Sequence, residues 1–295
     1  MLWRGDSGAP WRLAARDRAL MSELRHALPA DAAATDLIAV STAALGAADR
    51  RAGDRRPDSV RRAGERICAG ALAILGAGAS RPAGTAERLW RALSGRRRTP
   101  PPREVAALNA ALVLLADHEL SPSALAARIA ASTWADPYRV VLAGLGPLGG
   151  TLHGAMPLAI GAMLTELESP ADAFAVLERR QASGLVAGFG HGVYRDRDPR
   201  ADHLLQRAAT VARHRGRART IAAVTEAAQQ LRLPAPNADF GLAALAYALE
   251  LPATAASTIF TVARIAGLLA HALEEYPHRL RFRPRASYVG TAARG

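Results

Sequence analysis

The sequence predicts an all-α protein, and three observations carry that prediction. Of 295 residues, 50% are apolar and only 5% aromatic, with alanine the most conspicuous residue. Alanine favours helix over strand, and few Val-Ile-Tyr-Phe runs are present to build a sheet. Finally, Ser121-Pro122, Asp136-Pro137, Ser169-Pro170 and Asp198-Pro199 each set a capping side chain before a proline, the pairing expected at a helix start.

Taken in order, helices are expected over 11–28, 32–47, 58–76 and 83–94, between Gly-, Pro- and Arg-rich stretches. Thr99-Pro100-Pro101-Pro102-Arg103 is the clearest break. After it Val105, Leu108, Leu112 and Leu115 fall on one face at helical spacing. Helices follow from each of the four capped prolines. Glycines cluster at 144–154 and again around His191. There is no internal repeat, and the length suits one large domain or two unequal ones.

The formal charge is +12, yet all 38 basic residues are arginine. Such a bias, beside the alanine excess, reads as genome composition rather than a phosphate-binding face, so no nucleic acid partner is expected. The clusters Arg96-Arg97-Arg98 and Arg213-His214-Arg215-Gly216-Arg217 read as solvated loops. A single cysteine, Cys68, excludes an intramolecular disulfide and a multi-cysteine metal site. No signal peptide opens the sequence and no uncharged apolar run suits a bilayer, so a cytoplasmic protein without membrane contact is expected. Metal, P-loop and dinucleotide motifs are missing, so no cofactor is expected.

Several residues nevertheless sit oddly. His118 ends an apolar helix, and His153 and His191 lie between glycines, where backbone can reach positive φ and approach a ligand closely. Each alone reads as an ordinary turn histidine, and two such turns in one helical protein shift the balance modestly toward a site. Arg264 lies in Ile259–Leu269, a helix apolar nearly all round, so its guanidinium needs an acid or an anionic ligand. An internal ion pair and a snorkelling chain at the domain edge, taken together, are about evenly matched with a ligand there. Arg200 and Arg283 read as surface arginines. Asp239 opens another apolar helix, either as a cap or as a general base held ionised by the helix terminus.

Together these segments resemble the citrate synthase family. Leu114–Leu120 with Ala126-Ala127-Arg128, Gly150-Thr151-Leu152-His153-Gly154-Ala155, Gly188–Tyr194 with Asp198-Pro199-Arg200-Ala201, Asn237-Ala238-Asp239-Phe240, Ala263–Gly267 and Arg283-Pro284-Arg285 are similar to its motifs, in order, across roughly 104–290. The resemblance implies a two-domain protein, with residues 1–154 and 251–295 in the larger domain, 155–250 in the smaller, and a site in the cleft between. It implies condensation of acetyl-CoA with oxaloacetate and water to give citrate and CoA, without metal or prosthetic group, a tricarboxylic acid cycle activity of a homodimer. Asp239 would take the methyl proton, His153 would stabilise the enolate, and His191 would polarise the ketone. His118, Arg200, Arg264 and Arg283 would hold carboxylates, Arg283 reaching into a partner subunit.

Thr151, Ala155, Gly192 and Ala238 depart from the family pattern, but none removes a side chain given a chemical role. Relatives carry a further N-terminal segment, and Met1–Trp11 resembles its tail. The rival readings are a 2-methylcitrate synthase, a citryl-CoA lyase, or a non-catalytic carboxylate-binding subunit paired with a full-length paralogue.

Overall fold

A computed structural model describes residues 11–76, 83–96, 98–184 and 186–278, with 282, 285, 287, 289 and 290. Among these, thirteen α-helices and two short 3-10 turns account for the regular structure, and the only β pairing is an isolated antiparallel bridge between Phe189 and Pro236. The protein is all-α.

The first four helices follow the expected segments: α1 (Ala15–Ala27), α2 (Ala34–Ala47), α3 (Pro57–Ile74) and α4 (Thr85–Ser94). Helix α5 (Pro102–Leu114) starts inside the proline run. Each capped proline begins a helical segment: α6 (Pro122–Ser132), α7 (Pro137–Leu148), the 3-10 turn Pro170–Asp172 that leads into α9 (Ala173–Ala182), and α10 (Pro199–Val211). At α7 the cap is direct, with Arg139 N donating to Asp136 Oδ1 at 3.0 Å, which satisfies one of the helix's orphan amides. Helices α8 (Met156–Glu166), α11 (Arg215–Gln230), α12 (Ala238–Ala248) and α13 (Ala255–Glu275) complete the set.

The last of these organises the molecule. At 21 residues α13 is about 32 Å long. It packs against α2, α3, α5, α6, α7, α8 and α12. By length and composition it could cross a membrane, but 78% of its apolar stretch is buried within the protein. It is a core helix. Its burial explains why it is apolar on every face, and makes Arg264 at its centre an anomaly to be explained. Helix α12 packs on both α8 and α10, α9 packs on α11, and α10 also touches α5.

Two expectations need correction. His118 does not end a helix: α5 stops at Leu114, and a turn follows in which Glu119 takes φ +50°. Nor are the arginine clusters merely solvated. Arg213 reaches the buried Glu104, which also accepts from the Trp90 indole at 2.8 Å, and Arg96 pairs with Glu250 at 2.7 Å. A buried carboxylate recruits whichever arginine is near, a long-range demand that the local composition did not reveal. Cys68 is buried, and burial pushes its thiol up to about 12, so it remains an inert core side chain.

Candidate active site

The site is assembled from several chain segments, three of which are held by local devices and joined by His153 and His118. Gly188 and Gly190 adopt φ +95° and +78°, which lets Phe189–Gly190 turn back against residues 235–237. Gly190 N donates to Ala235 O at 2.8 Å, Asn237 N to Gly188 O at 2.9 Å, and Asn237 Nδ2 to Gly190 O at 2.8 Å. His191 is thereby fixed beside the start of α12. Its Nδ1 accepts from the amides of Val193 (3.0 Å) and Tyr194 (3.3 Å). A neutral imidazole so held carries its proton on Nε2. Arg200 Nη2 lies 3.4 Å from that Nε2, so two donors face a common space where an oxygen would accept from both.

At the second segment Asn237, not Asp239, caps α12, accepting from the amides of Asp239 (3.0 Å) and Phe240 (3.2 Å). The capping alternative for Asp239 is therefore withdrawn and its carboxyl is free. Nor is its carboxyl held in the ordinary carboxylate range: burial pushes it up to about 6, with nearby Asp198 adding to the rise and Arg200 and Arg264 opposing it. Desolvation outweighs the two arginines. Asp198 ties the surroundings together. Its carboxylate accepts from Arg200 Nε at 3.0 Å, Arg200 Nη2 at 2.8 Å, Arg200 N at 3.0 Å and Ala238 N at 2.9 Å. Burial pushes Asp198 up, but these donors prevail and keep it below the usual carboxylate range. Arg200 is accordingly not a surface arginine, its side chain being only 11% exposed.

Arg264 supplies the third segment. It is 2% exposed, and among the described residues no carboxylate forms an ion pair with it. Its Nη1 donates to Ser121 Oγ at 3.2 Å, its guanidinium lies 4.9 Å from the Phe260 ring centre, and its Nε has no partner. Burial lowers it to about 10, so it stays cationic at neutral pH. A relay runs onward: Ser121 Oγ lies 3.2 Å from Ser123 Oγ, and Ser123 Oγ 3.0 Å from His153 Nε2. Because a guanidinium only donates, the direction that satisfies both hydroxyls ends with Ser123 donating to His153 Nε2. The His153 proton is then on Nδ1.

His118 completes the wall. Its ring stacks on Tyr194 at 5.4 Å and lies 5.0 Å from His191, and its Nε2 is buried without a partner. All three histidines are pushed below their usual value by burial first, then by cations: Arg200 beside His118 and His191, Arg264 beside His153. The result is a pocket of about 320 Å³ lined by His118, His153, His191, Arg200, Asp239 and Arg264, among others. Arg283 lies outside the described residues. Neutral N–H donors, two guanidiniums and one raised carboxyl suit an anionic carbonyl substrate and a proton transfer at carbon.

The sequence profile described as "Citrate synthase, C-terminal domain" matches residues 11–285. The chain belongs to the citrate synthase family. Citrate synthase 2 of Bacillus subtilis (strain 168) is 37% identical over 215 residues, spanning 70% of this chain and 56% of that protein. The 2-methylcitrate synthase of Shewanella oneidensis is 33% identical over 195 residues, 63% of this chain and 51% of that one. The chain thus spans about half the length of these relatives. Among solved structures, a ternary complex of citrate synthase from Thermoplasma acidophilum with carboxymethyl coenzyme A and oxaloacetate superposes with a TM-score of 0.79 at 25% identity, covering 97% of this chain and 79% of that one. Citryl-CoA lyase from Hydrogenobacter thermophilus gives a TM-score of 0.60 at 25% identity, over 71% and 85% of the two chains.

Within this citrate synthase-family frame, the departures are accommodated. Ala155 takes ordinary αR backbone as the N-cap of α8, and the loop still closes, with Ala155 N donating to Gly150 O at 3.2 Å. Thr151 is exposed in the same turn. Ser121, Ser123, Asp198 and Tyr194 were missed as site residues. Ser121 showed only its capping signal, Asp198 its capping signal and its place in the Asp198–Ala201 motif, and Tyr194 only its place in the Gly188–Tyr194 motif.

Proposed function

We propose that the protein condenses acetyl-CoA with oxaloacetate and water to give citrate and CoA, as an acyltransferase whose acyl group becomes an alkyl group. The observation that supports this best is the convergence of His153, His191 and Asp239 on one pocket that also holds two guanidiniums. A thioester methyl is a far weaker acid than Asp239, even raised to about 6, so the enolate oxygen needs stabilising as it forms. His153 Nδ1–H is available for that oxygen, a role whose loss typically costs ~10²–10³ in rate. Asp239 takes the methyl proton, and the new carbanion attacks the ketone of oxaloacetate. His191 Nε2–H and Arg200 polarise that ketone and receive its developing charge. Arg264, His118 and Arg200 bind the carboxylates, where forked guanidiniums suit planar oxygens, and Arg283 joins them from a partner subunit. Water then cleaves the citryl thioester, releasing CoA.

The same reading makes the protein a cytoplasmic homodimer of two-domain subunits, with the pocket between domains and no metal or prosthetic group. Dimerisation is supported by Leu125 and Ile129, one turn apart on α6 and both exposed, with Val113 of α5 and Leu120 exposed nearby in sequence. Thiol release from acetyl-CoA in the presence of oxaloacetate tests the activity, with propionyl-CoA and citryl-CoA run beside it. Preference for propionyl-CoA assigns 2-methylcitrate synthesis, and cleavage of citryl-CoA alone assigns the lyase. Oxaloacetate binding without thiol release from either acyl-CoA makes the protein a carboxylate-binding subunit.

A further inference from the structure

Next to the pocket lies a buried polar cluster that the chemistry described above does not use. On α13, His271 lies seven residues beyond Arg264, two turns on, so both side chains leave the same face. Both address the turn between α5 and α6. Arg264 reaches Ser121, and His271 Nε2 lies 2.9 Å from Asp117 Oδ1, directly before His118. Between them sits Gly267, where a Cβ would meet the Ala116 carbonyl oxygen at 2.1 Å. The turn therefore rests on bare helix backbone, pinned on either side.

The pin at His271 is itself braced. Arg128 Nη1 donates to His271 Nδ1 at 2.7 Å and to Glu274 at 2.9 Å, while Arg128 Nε donates to Glu275 at 3.0 Å. A guanidinium has no lone pair to offer, so His271 Nδ1 accepts and its Nε2–H donates to Asp117. The tautomer is set from behind. That bond holds the Asp117 carboxylate below its usual range, against the burial that raises it. His271 is 8% exposed and Glu275 3% exposed, so water competes weakly for these bonds.

We propose that His271 is a positioning residue: braced by Arg128, it clasps Asp117 so that the 116–121 turn presents His118 to the pocket in register with Arg264. This rests on the proposed function, since it assigns His118 and Arg264 to the keto diacid. It predicts a split. His271→Leu weakens oxaloacetate binding by about tenfold, the worth of one charged hydrogen bond. The CoA thioester KM stays within twofold. His271→Gln, which keeps a donor toward Asp117 and an acceptor toward Arg128, recovers most of the loss.

The test pairs calorimetric titration of oxaloacetate with hydrogen exchange across residues 115–121, in wild type, both His271 variants and Arg128→Met. Supporting results are lost protection in 115–121 confined to His271→Leu and, to a smaller degree, Arg128→Met, together with the substrate split. Unchanged protection of that segment in a folded His271→Leu overturns the clasp. So does an equal loss of affinity for both substrates. If His271→Leu does not fold, Arg128→Met decides on the same criteria. Should wild type bind no oxaloacetate while its exchange pattern responds as described, the functional reading fails and the clasp stands.

Discussion

Two inward-facing arginines in this molecule, Arg66 half-buried and Arg264 buried, are treated in opposite ways. Arg66, on α3, donates to both oxygens of Asp17 at 2.7 and 2.8 Å, to the Leu45 carbonyl at 2.8 Å and to Tyr138 Oη at 3.1 Å. Tyr138 in turn donates to Asp49 at 2.7 Å. Every face of that guanidinium is used, and the cluster ties α1 and α2 to α3 and α7. Arg264, more deeply buried, has one serine, one aromatic face and an Nε with nothing. A saturated buried cation is a fastener; an unsaturated one in a cavity wall is half of a binding site.

The largest effect that sharpens this contrast lies beside Arg264. Asp239→Asn is expected to lower kcat for thiol release by roughly 10³, with oxaloacetate affinity nearly unchanged. A drop of less than tenfold in a steady-state assay would remove Asp239 as the base. Next, Arg264→Met should weaken oxaloacetate binding about a hundredfold while leaving stability level or slightly raised, because a poorly partnered buried charge is removed. Arg66→Met should do the reverse, costing about 3–5 kcal/mol by stranding Asp17, with binding intact. Denaturant unfolding and calorimetry on the two variants together break the comparison if both behave alike.

The pH dependence is a gentler test. Asp239 must be ionised to take a proton, so kcat/KM should fall as pH drops through about 6. Stability moves the other way for this group. Its folded value lies above the unfolded 3.8, so the folded state holds the proton more tightly. The group's contribution is therefore favourable below about pH 4 and lost as pH rises through about 6. Asp239→Asn should accordingly gain about 1–3 kcal/mol over wild type at pH 7.5 and nothing at pH 3.5, read from urea unfolding at the two values. The smallest expected change is in assembly. Ile129→Asp on α6 should shift the protein toward monomer in light scattering without altering its circular dichroism.

Local signals in the sequence went far. The four capped prolines each start a helical segment, and the apolar run around Arg264 is a core helix. His153, His191, Asp239, His118, Arg200 and Arg264 all reach one pocket, which motif order anticipated. What stayed hidden was relational. Whether Asp239 caps or is free depended on Asn237 two residues earlier taking the cap. That Arg200 is inside followed from a carboxylate whose fourth donor, Ala238, is forty residues away. The His271–Asp117 bond spans 154 positions. Such pairings are chosen by packing, which a periodicity cannot report.

Asp198 has a mechanical consequence. One carboxylate fastens the head of α10, the side chain of Arg200 and the first amide of α12, so Arg200 and the turn of α12 that carries Asp239 share a single rivet. Any movement that opens or shuts the pocket must carry these groups as one jaw. Only their gap to the opposite jaw, formed by His118, His153 and Arg264, is left free to vary.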